Sequence, residues 1–435
     1  MTAAELRALD KAVLWHPFTQ MRDWCAEPHE PLILERGQGP WLWDTEGRRY
    51  FDGNSSIWTN IHGHNHPAIN EAIRAQLEKA AHTSFLGFTN EPAIRLAGEL
   101  AALLPESGLT RVFYSDDGST AIECALKMAL QYWQLTGQPQ RRTFLAFDQG
   151  YHGDTLGAAS LGGVPAFHGR FAPLGLPVRH LTGSVEELEA IDQEEAASVA
   201  AVVIEPLIQG AAGMKTWPPG LLRALRKWCD CHGVLLVFDE VMTGFGRTGR
   251  MFALEHEEAA PDFLCLAKGL TGGYLPLAAT LTTERVFAAF LGSHEEMKTF
   301  FHGHSYCGNP LGCAAALASL RVFSDENVLE HLQPKIAFLA GQLQALKARL
   351  PRRISGIRQC GFIAGIDVMQ DAGAGIPHDW RAQAGARICL AAREFGLLTR
   401  PVRDTLVLMP PLCATEEEIA HAVRALERGI RAVEA

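Results

Sequence analysis

The sequence lacks the long apolar segments and the basic clusters that mark membrane proteins and nucleic-acid-binding proteins. Its longest apolar stretch, ASVAAVVIEPLIQG, contains Glu205 and Pro206 and falls short of the roughly 18 apolar residues that a bilayer-spanning helix requires. The formal net charge is −10, from 39 basic and 49 acidic residues, and the basic residues form no long run. We therefore expect a soluble protein with no membrane and no nucleic acid among its partners.

The sequence also has no secretory signal, no disulfide-rich pattern, no internal repeat and no low-complexity segment. Residues 1–20 mix acidic with basic side chains and contain no apolar core of the kind found in signal peptides. The ten cysteines are scattered, several of them within apolar segments, which is typical of buried thiols in a reducing compartment. We expect a cytoplasmic chain whose 435 residues are enough for two or three domains.

One segment superficially resembles a metal site. The segment IHGHNHP carries three histidines at alternating positions, His62, His64 and His66. Gly63 and Pro67 make this segment a turn rather than a strand, and neither a cysteine nor a pair of carboxylates lies nearby in the sequence. We therefore expect no bound metal ion.

What the sequence does contain is a set of short apolar runs that end in charged residues. The run VLLVF ends in Asp239 and Glu240, AAVVI ends in Glu205, and FLCLA ends in Lys268. Such runs, alternating with helical stripes, indicate the buried strands of a mostly parallel sheet in an α/β fold. Because the carboxyl ends of parallel strands meet at one edge, we expect Glu205, Asp239 and Lys268 to lie close together.

This convergence favours a pyridoxal phosphate site. A buried carboxylate such as Asp239 needs a cationic partner, and a protonated pyridine nitrogen would supply one. The chemistry of that cofactor requires the partner, because a pyridinium ring withdraws electrons from a carbanion better than a neutral pyridine does. Lys268 would then hold the cofactor aldehyde as a Schiff base. A helix cap, an ion pair or a metal ligand would explain the Asp239–Glu240 pair taken alone.

Several loops could complete such a site. Gly118 and Ser119 lie at a predicted helix start, where free backbone N–H groups and the helix dipole suit a phosphate, although ordinary N-capping explains the same pattern. In YHGDT, Tyr151 could lay its ring on a flat cofactor and Asp154 could orient it. Arg400 could bind a carboxylate through two parallel hydrogen bonds. Alternatively, Arg400 is a solvated surface arginine.

A competing motif is the literal G-x-G-x-x-G formed by Gly244, Gly246 and Gly249. It would suit a nicotinamide dehydrogenase if it opened a helix directly after the first strand of a βαβ unit. Two carboxylates intervene here, and the residues that follow show no clean helical stripe, so the match is weak.

The order of the predicted elements divides the chain into three parts. Residues 1–60 carry a small antiparallel hairpin around Asp44 to Gly47 and contribute to a small domain. Residues 61–325 alternate helix and strand and form the large cofactor-binding domain. A long helix over about 326–350 opens the third part, residues 326–435, which completes the small α+β domain and ends in a helix with a capping box at Thr415 and Glu418.

Longer motifs carry a resemblance to a known family. DEVMTGFGRTG, AKGLTGGYLP, DDGST and YHGDT are similar to segments of the class III, fold-type I pyridoxal-phosphate aminotransferases. WHPFTQM, SSIWTNIHGHNHP, LKMALQYWQ, FFHGHSYCGNPLGCA and LLTRPV resemble the branch of that family that acts in biotin synthesis. The resemblance covers essentially the whole chain. It implies conversion of 8-amino-7-oxononanoate into 7,8-diaminononanoate, with S-adenosylmethionine as the amino donor by family default.

The resemblance also implies a role for particular residues. Lys268 would hold the cofactor and shuttle a proton, and Asp239 would keep the pyridine nitrogen protonated. Tyr151 would stack on the ring and meet the substrate, while Val241 covers the opposite face. The phosphate would be bound by Gly118 and Ser119 and, from the other subunit of a homodimer with shared active sites, by the loop of His304 and Ser305. The substrate would be bound by Phe18, Ile57, Trp58, Tyr151, Gly303 and Arg400, with Arg400 taking the carboxylate.

Two departures from the family pattern leave the amino donor open. Many members carry tyrosine where this chain has Phe18, and a second tryptophan where it has Ile57. Those aromatic side chains help to form the S-adenosylmethionine site, and Phe18 and Ile57 look more like a branch in which lysine is the donor. Lysine is therefore the alternative donor, and another class III ω-aminotransferase is the alternative enzyme.

Overall fold

The computed structural model describes residues 1–434. The α-helices are α1 Ala3–Val13, α2 Met21–Cys25, α3 Ser55–Trp58, α4 Pro67–Leu77, α5 Glu91–Ala102, α6 Gly118–Leu135, α7 Leu156–Leu161, α8 Pro165–His168, α9 Val185–Glu189, α10 Gln193–Ala196, α11 Leu221–His232, α12 Glu284–Ala289, α13 Pro310–Asp325, α14 Val328–Arg349, α15 Ala384–Arg393 and α16 Glu416–Glu434. The strands are β1 Leu34–Gln38, β2 Trp41–Asp44, β3 Arg49–Asp52, β4 Leu109–Ser115, β5 Thr143–Phe147, β6 Val178–Leu181, β7 Val199–Ile204, β8 Ile208–Gln209, β9 Lys215–Thr216, β10 Leu235–Asp239, β11 Phe263–Leu266, β12 Ala278–Thr283, β13 Ile354–Cys360, β14 Ile363–Val368, β15 Leu397–Leu398, β16 Pro401–Val402 and β17 Thr405–Leu408.

A seven-stranded sheet forms the centre of the molecule, in the order β4-β12-β11-β10-β7-β5-β6. Strand β12 runs antiparallel to both of its neighbours, and the remaining pairs are parallel. Every residue of β7 and β10 is buried, which explains why these strands read as continuous apolar runs. The predicted α/β fold with a mostly parallel sheet is confirmed.

Helices cover both faces of this sheet. Leu236 and Phe238 of β10 join the apolar cluster that contains the buried side of α11, whereas Leu235 and Val237 join the cluster that contains the buried side of α6. Successive residues of a strand point to opposite faces. The carboxyl ends of β5, β7, β10 and β11 are therefore held rigidly between two layers of helices.

The two ends of the chain come together outside the large sheet. Strand β3 pairs in parallel with β15, placing Phe51 opposite Leu397, in the sheet β1-β2-β3-β15. The predicted hairpin is confirmed by the antiparallel pairing of β2 with β3. Strands β13, β14, β17 and β16 form a second four-stranded sheet, and α15 packs against α16. The domain boundaries near residues 60 and 325 stay a prediction.

The histidines of IHGHNHP bind separate partners. His62 lies 3.0 Å from the Ser319 hydroxyl, while His64 and His66 contact acidic side chains in different parts of the fold. Within residues 1–434, no group of three His, Cys, Asp or Glu side chains is placed to hold a metal ion. Over the same range, no helix has the length and apolar character needed to cross a membrane.

Candidate active site

A cavity of about 690 Å³ opens where the strands of the large sheet end. Glu205 follows β7, Asp239 ends β10, and Lys268 lies two residues beyond β11. All three line the cavity, because neighbouring parallel strands deliver their carboxyl ends to the same edge. The convergence that the sequence predicts is confirmed.

Lys268 is held in a tight turn with its amine buried. Its φ angle is +43°, in the left-handed region, and a 3₁₀ turn runs from Lys268 to Thr271. The amine nitrogen lies 5.0 Å from the centre of the Trp58 ring. Burial lowers the pKa of Lys268, although the charges of Asp239 and Glu205 oppose this shift. The lowered pKa increases the fraction of neutral amine, which is the form that attacks an aldehyde.

Asp239 forms a buried pair with His152. The Asp239 Oδ2 atom lies 2.7 Å from His152 Nδ1, and Asp239 Oδ1 accepts the Val241 N–H at 3.1 Å. Burial acts to lower the pKa of His152, but the hydrogen bond and the charge of Asp239 outweigh burial and raise it. The contact with Asp239 thus favours the protonated form of His152 more than in a free imidazole. Sequence reasoning missed His152, whose one signal was its position inside the motif YHGDT.

The turn before α6 has the geometry of a phosphate site. Asp117 caps this 18-residue helix by accepting the Thr120 N–H at 2.9 Å, and the Ser119 hydroxyl accepts the Thr155 N–H at 2.9 Å. A Cβ atom on Gly118 would lie 2.6 Å from Val241, so only glycine fits. Gly118 and Ser119 line the cavity, so the N-terminus of α6 faces it. Free backbone N–H groups at a helix N-terminus suit a phosphate.

Tyr151 stands at the cavity wall within a group of aromatic rings. Its hydroxyl donates to Asp154 Oδ2 at 2.7 Å, so the predicted partnership of these two residues takes the form of a direct hydrogen bond. The rings of Phe18 and Phe167 lie 6.4 Å from that of Tyr151, both edge to face. Sequence reasoning missed Phe167, which lies on the short helix α8 without a recognisable motif.

The remaining candidates are divided between the cavity and the surface. Trp58 and Val241 line the cavity. His304 reaches it indirectly, because its Nδ1 atom lies 2.8 Å from the Asp116 carboxylate, and Asp116 is part of the lining. Outside the lining, and exposed, lie Phe18, Ile57, Gly303, Ser305 and Arg400.

The glycines of the competing motif have another use. The residues between β10 and β11 form turns and one 3₁₀ segment, Ala253–His256, so no α-helix opens at Gly249. A Cβ atom on Gly246 would lie 2.7 Å from Leu412. Arg247 is fully buried and donates to the Pro410 and Asn60 carbonyl oxygens. This segment is a packing element, and a dinucleotide-binding role is wrong because the required strand-turn-helix geometry is missing from it.

Comparison with known proteins decides the family. The chain matches the family model "Aminotransferase class-III" over residues 25–430. The chain belongs to the class-III aminotransferases. It is 46% identical to the adenosylmethionine-8-amino-7-oxononanoate aminotransferase of Geobacter sulfurreducens over 98% of both chains. It is 49% identical to the enzyme of the same name from Nitratidesulfovibrio vulgaris, over 99% of this chain and 82% of that one.

Solved structures show the same architecture. The crystal structure of the adenosylmethionine-8-amino-7-oxononanoate aminotransferase from Methanocaldococcus jannaschii matches with a TM-score of 0.96 and 42% identity over 99% of both chains. An (S)-enantioselective omega-transaminase from Thermomicrobium roseum matches with a TM-score of 0.93 and 33% identity over the full length of both. The fold-type I architecture inferred from the motifs is confirmed.

Class-III aminotransferases depend on pyridoxal phosphate, and the cavity of this chain fits that cofactor. A buried amine, a buried carboxylate and the N-terminus of a long helix line one space, which are the groups that an aldehyde, a pyridine nitrogen and a phosphate require. Gly118 and Ser119 both line the cavity, so the helix start is accessible to a ligand there. This chain is a pyridoxal-phosphate-dependent transaminase.

Proposed function

We propose that this enzyme transfers an amino group from S-adenosylmethionine to 8-amino-7-oxononanoate, which yields 7,8-diaminononanoate for biotin synthesis. The observation that carries the proposal is the similarity to enzymes of that name over 98% of the chain. Ten free thiols, six of them buried, are typical of a reducing compartment and support a cytoplasmic location.

The residues of the cavity would divide the work of holding the cofactor. Lys268 would bind it covalently through its amine, and the Asp239 carboxylate would accept a hydrogen bond from the ring nitrogen. Gly118 and Ser119 would bind the phosphate, and Tyr151 and Val241 would cover the two faces of the ring. When bound, pyridoxal phosphate supplies an electron-withdrawing ring that stabilises negative charge on the neighbouring carbon of the substrate.

The Lys268 amine would also move the proton during transfer. A general base works best when its pKa is near the operating pH, and burial lowers the pKa of Lys268 in that direction. Trp58 lies against the amine and would restrict the access of water to it. The hydrogen bond between His152 and Asp239 would fix the position of the Asp239 carboxylate at the buried edge of the sheet.

Substrate binding would use the residues that the family resemblance assigns to it, most of which are exposed. Arg400, which is exposed, would bind the carboxylate of the oxo acid through paired charge-assisted hydrogen bonds. Phe18, Ile57, Trp58 and Gly303 would surround its aliphatic chain. The hydrogen bond from Tyr151 to Asp154 would fix the phenol ring between the cofactor and the substrate.

An exposed apolar surface supports a homodimer with shared active sites. Two segments, residues 82–90 and 299–309, contact one another where the Asn90 side-chain amide donates to the Gly308 carbonyl oxygen at 3.0 Å. Several of their large apolar side chains are exposed, among them Leu86, Phe88 and Phe301. Exposed patches of this kind mark subunit interfaces. Ser305 lies on the second segment, and we propose that it reaches the phosphate of the partner subunit.

Mixing the purified enzyme with each candidate donor tests the proposal. S-adenosylmethionine is expected to bleach the visible absorbance of the bound cofactor, and adding 8-amino-7-oxononanoate is expected to restore it with formation of 7,8-diaminononanoate, measured by mass spectrometry. If lysine bleached the cofactor and S-adenosylmethionine did not, lysine would be the amino donor. Efficient turnover of short diamines or β-alanine without that product would indicate another ω-aminotransferase.

A further inference from the structure

One buried carboxyl group in the cavity has no part in the roles described above. Glu205 lines the cavity, yet its residue is only 6% exposed. Its main-chain oxygen accepts the Trp217 indole N–H at 2.9 Å, which fixes the backbone at the end of β7. Its side-chain oxygens accept backbone N–H groups rather than pairing with a cationic side chain. A buried carboxyl group that binds backbone amides at the wall of an active-site cavity calls for a functional explanation.

The side chain of Glu205 joins two walls of the cavity. Its Oε2 atom accepts the Tyr151 N–H at 3.2 Å, and its Oε1 atom accepts the Gly210 N–H at 3.0 Å. Tyr151 begins the loop that carries His152. Gly210 supports the opposite wall, because a Cβ atom there would lie 2.9 Å from the Trp58 ring. One carboxylate therefore ties the backbone beneath the Tyr151 ring to the backbone beneath the Trp58 ring.

We infer that Glu205 is a positioning residue whose ionised carboxylate holds these two walls in place, and that its protonation releases one of them. A carboxylate accepts hydrogen bonds on both oxygens, whereas a protonated carboxyl group keeps one strong acceptor. Protonation thus leaves either the Tyr151 or the Gly210 amide without a good partner. The inference depends on the transaminase activity of the family and not on the identity of the oxo acid.

The charged groups around Glu205 place this change near neutral pH. Burial is the main cause that raises the pKa of Glu205, to about 7. His152 on the Tyr151 loop opposes the shift, and Asp239 at the end of β10 adds to it. Lys268, after β11, also interacts with Glu205. Because the pKa is raised, the ionised form prevails above about pH 7 and is lost as the pH falls below that value.

Glu240 provides a matched control on the neighbouring strand. It follows Asp239, is fully buried, and accepts the Ala253 and Leu254 N–H groups at 2.6 and 2.8 Å. Burial raises its pKa to about 8. It resembles Glu205 in burial, position and hydrogen bonding but does not line the cavity. Replacing either residue by glutamine removes an ionisable group and one acceptor, and only the change at Glu205 affects the cavity walls.

The test compares Glu205→Gln with Glu240→Gln in the enzyme loaded with cofactor. The rate of cofactor bleaching is measured from about pH 5.5 to 9 with whichever donor reacts. The wild type and Glu240→Gln are expected to lose activity on the acid side with an ionisation near pH 7. Glu205→Gln is expected to lose that ionisation and to be about tenfold slower at pH 8. Retention of the ionisation in Glu205→Gln, or its loss in Glu240→Gln, would overturn the inference.

A second variant separates positioning from folding. Glu205→Asp keeps the charge but shortens the side chain, so the acid-side ionisation is expected to persist while the rate falls about threefold or more. The shorter aspartate cannot reach both the Tyr151 and the Gly210 amides. If Glu205→Asp nevertheless reacted as fast as the wild type across the pH range, the inference would be overturned. If S-adenosylmethionine did not react, the variants could still be compared with the wild type, because any donor that bleaches the cofactor can be used to measure the pH profile.

Discussion

The cofactor side and the substrate side of the site are built in different ways. Asp239 and Lys268 are anchored at the ends of buried strands. Phe18, Gly303 and Arg400, by contrast, are exposed and lie outside the cavity lining. A sheet edge between two helical layers fixes side chains without help from a ligand. Exposed loop residues are held by fewer contacts than residues at the end of a buried strand, so substitutions in the two groups should have different consequences.

The largest effect is expected from Lys268→Ala. Removing the amine abolishes the covalent attachment of the cofactor and the proton transfer, so turnover should fall by about 10⁴-fold or more. Steady-state turnover with the natural pair of substrates measures the loss. Borohydride treatment followed by mass spectrometry should add the mass of the cofactor to the wild type and not to the variant.

Lys227→Ala is the control for this substitution. Lys227 is exposed on α11, away from the cavity, and its replacement should leave turnover and borohydride labelling unchanged. Substantial turnover by Lys268→Ala, or labelling at another lysine in the wild type, would remove Lys268 from the centre of the site.

The sequence was sufficient to predict the sheet edge because its signal is local. A strand buried on both faces must be apolar throughout, so the runs before Glu205, Asp239 and Lys268 were visible, and the edge rule then brought the three residues together. His152 was missed because its partner Asp239 lies 87 residues away in the chain. No periodicity encodes a contact of that kind between a loop and a strand end.

The turn that carries Trp58 was unpredictable for a different reason. The four residues of α3, Ser55 to Trp58, form a left-handed turn rather than a regular α-helix, because all of their φ angles lie between +46° and +68°. This conformation costs about 1–2 kcal/mol per residue outside glycine. Polar anchors hold it: Asp52 accepts the Ser56 N–H at 3.0 Å, and Asn54 accepts the Trp58 indole N–H at 2.8 Å. The intrinsic backbone preference of these residues is for negative φ angles, and the tertiary contacts outweigh that preference.

An intermediate effect is expected from Asp239→Asn. The amide cannot support a cationic ring nitrogen, so the donor half-reaction should slow by about 100-fold or more, as is typical when an electrostatic contact to charge that develops during the reaction is removed. The loss is measured as the rate of cofactor bleaching. Asp154→Asn, a change at a carboxylate on the cavity wall away from the sheet edge, should have a smaller effect on this half-reaction.

The same substitution should change how stability depends on pH. The pKa of His152 is raised in the folded protein, so its pairing stabilises the fold fully below the unfolded pKa of about 6.5. That contribution disappears as the pH rises through the folded pKa. Asp239→Asn should therefore lower the melting temperature more at pH 6 than at pH 9. An equal decrease at both values would contradict a charged His152.

The smallest effect is expected from Arg400→Ala, and it should fall on one substrate. Losing a paired hydrogen bond to a carboxylate costs about 1.5–3 kcal/mol, which raises KM for the oxo acid by roughly 10- to 100-fold. Because Arg400 lies on a loop outside the cavity lining, cofactor absorbance and thermal stability should not change. Arg403→Ala, at a second exposed arginine on the adjoining turn, serves as the control for general loss of positive charge. If Arg400→Ala instead disturbed cofactor binding as strongly as Asp239→Asn, the contrast between the buried sheet edge and the exposed substrate-binding loops would be wrong.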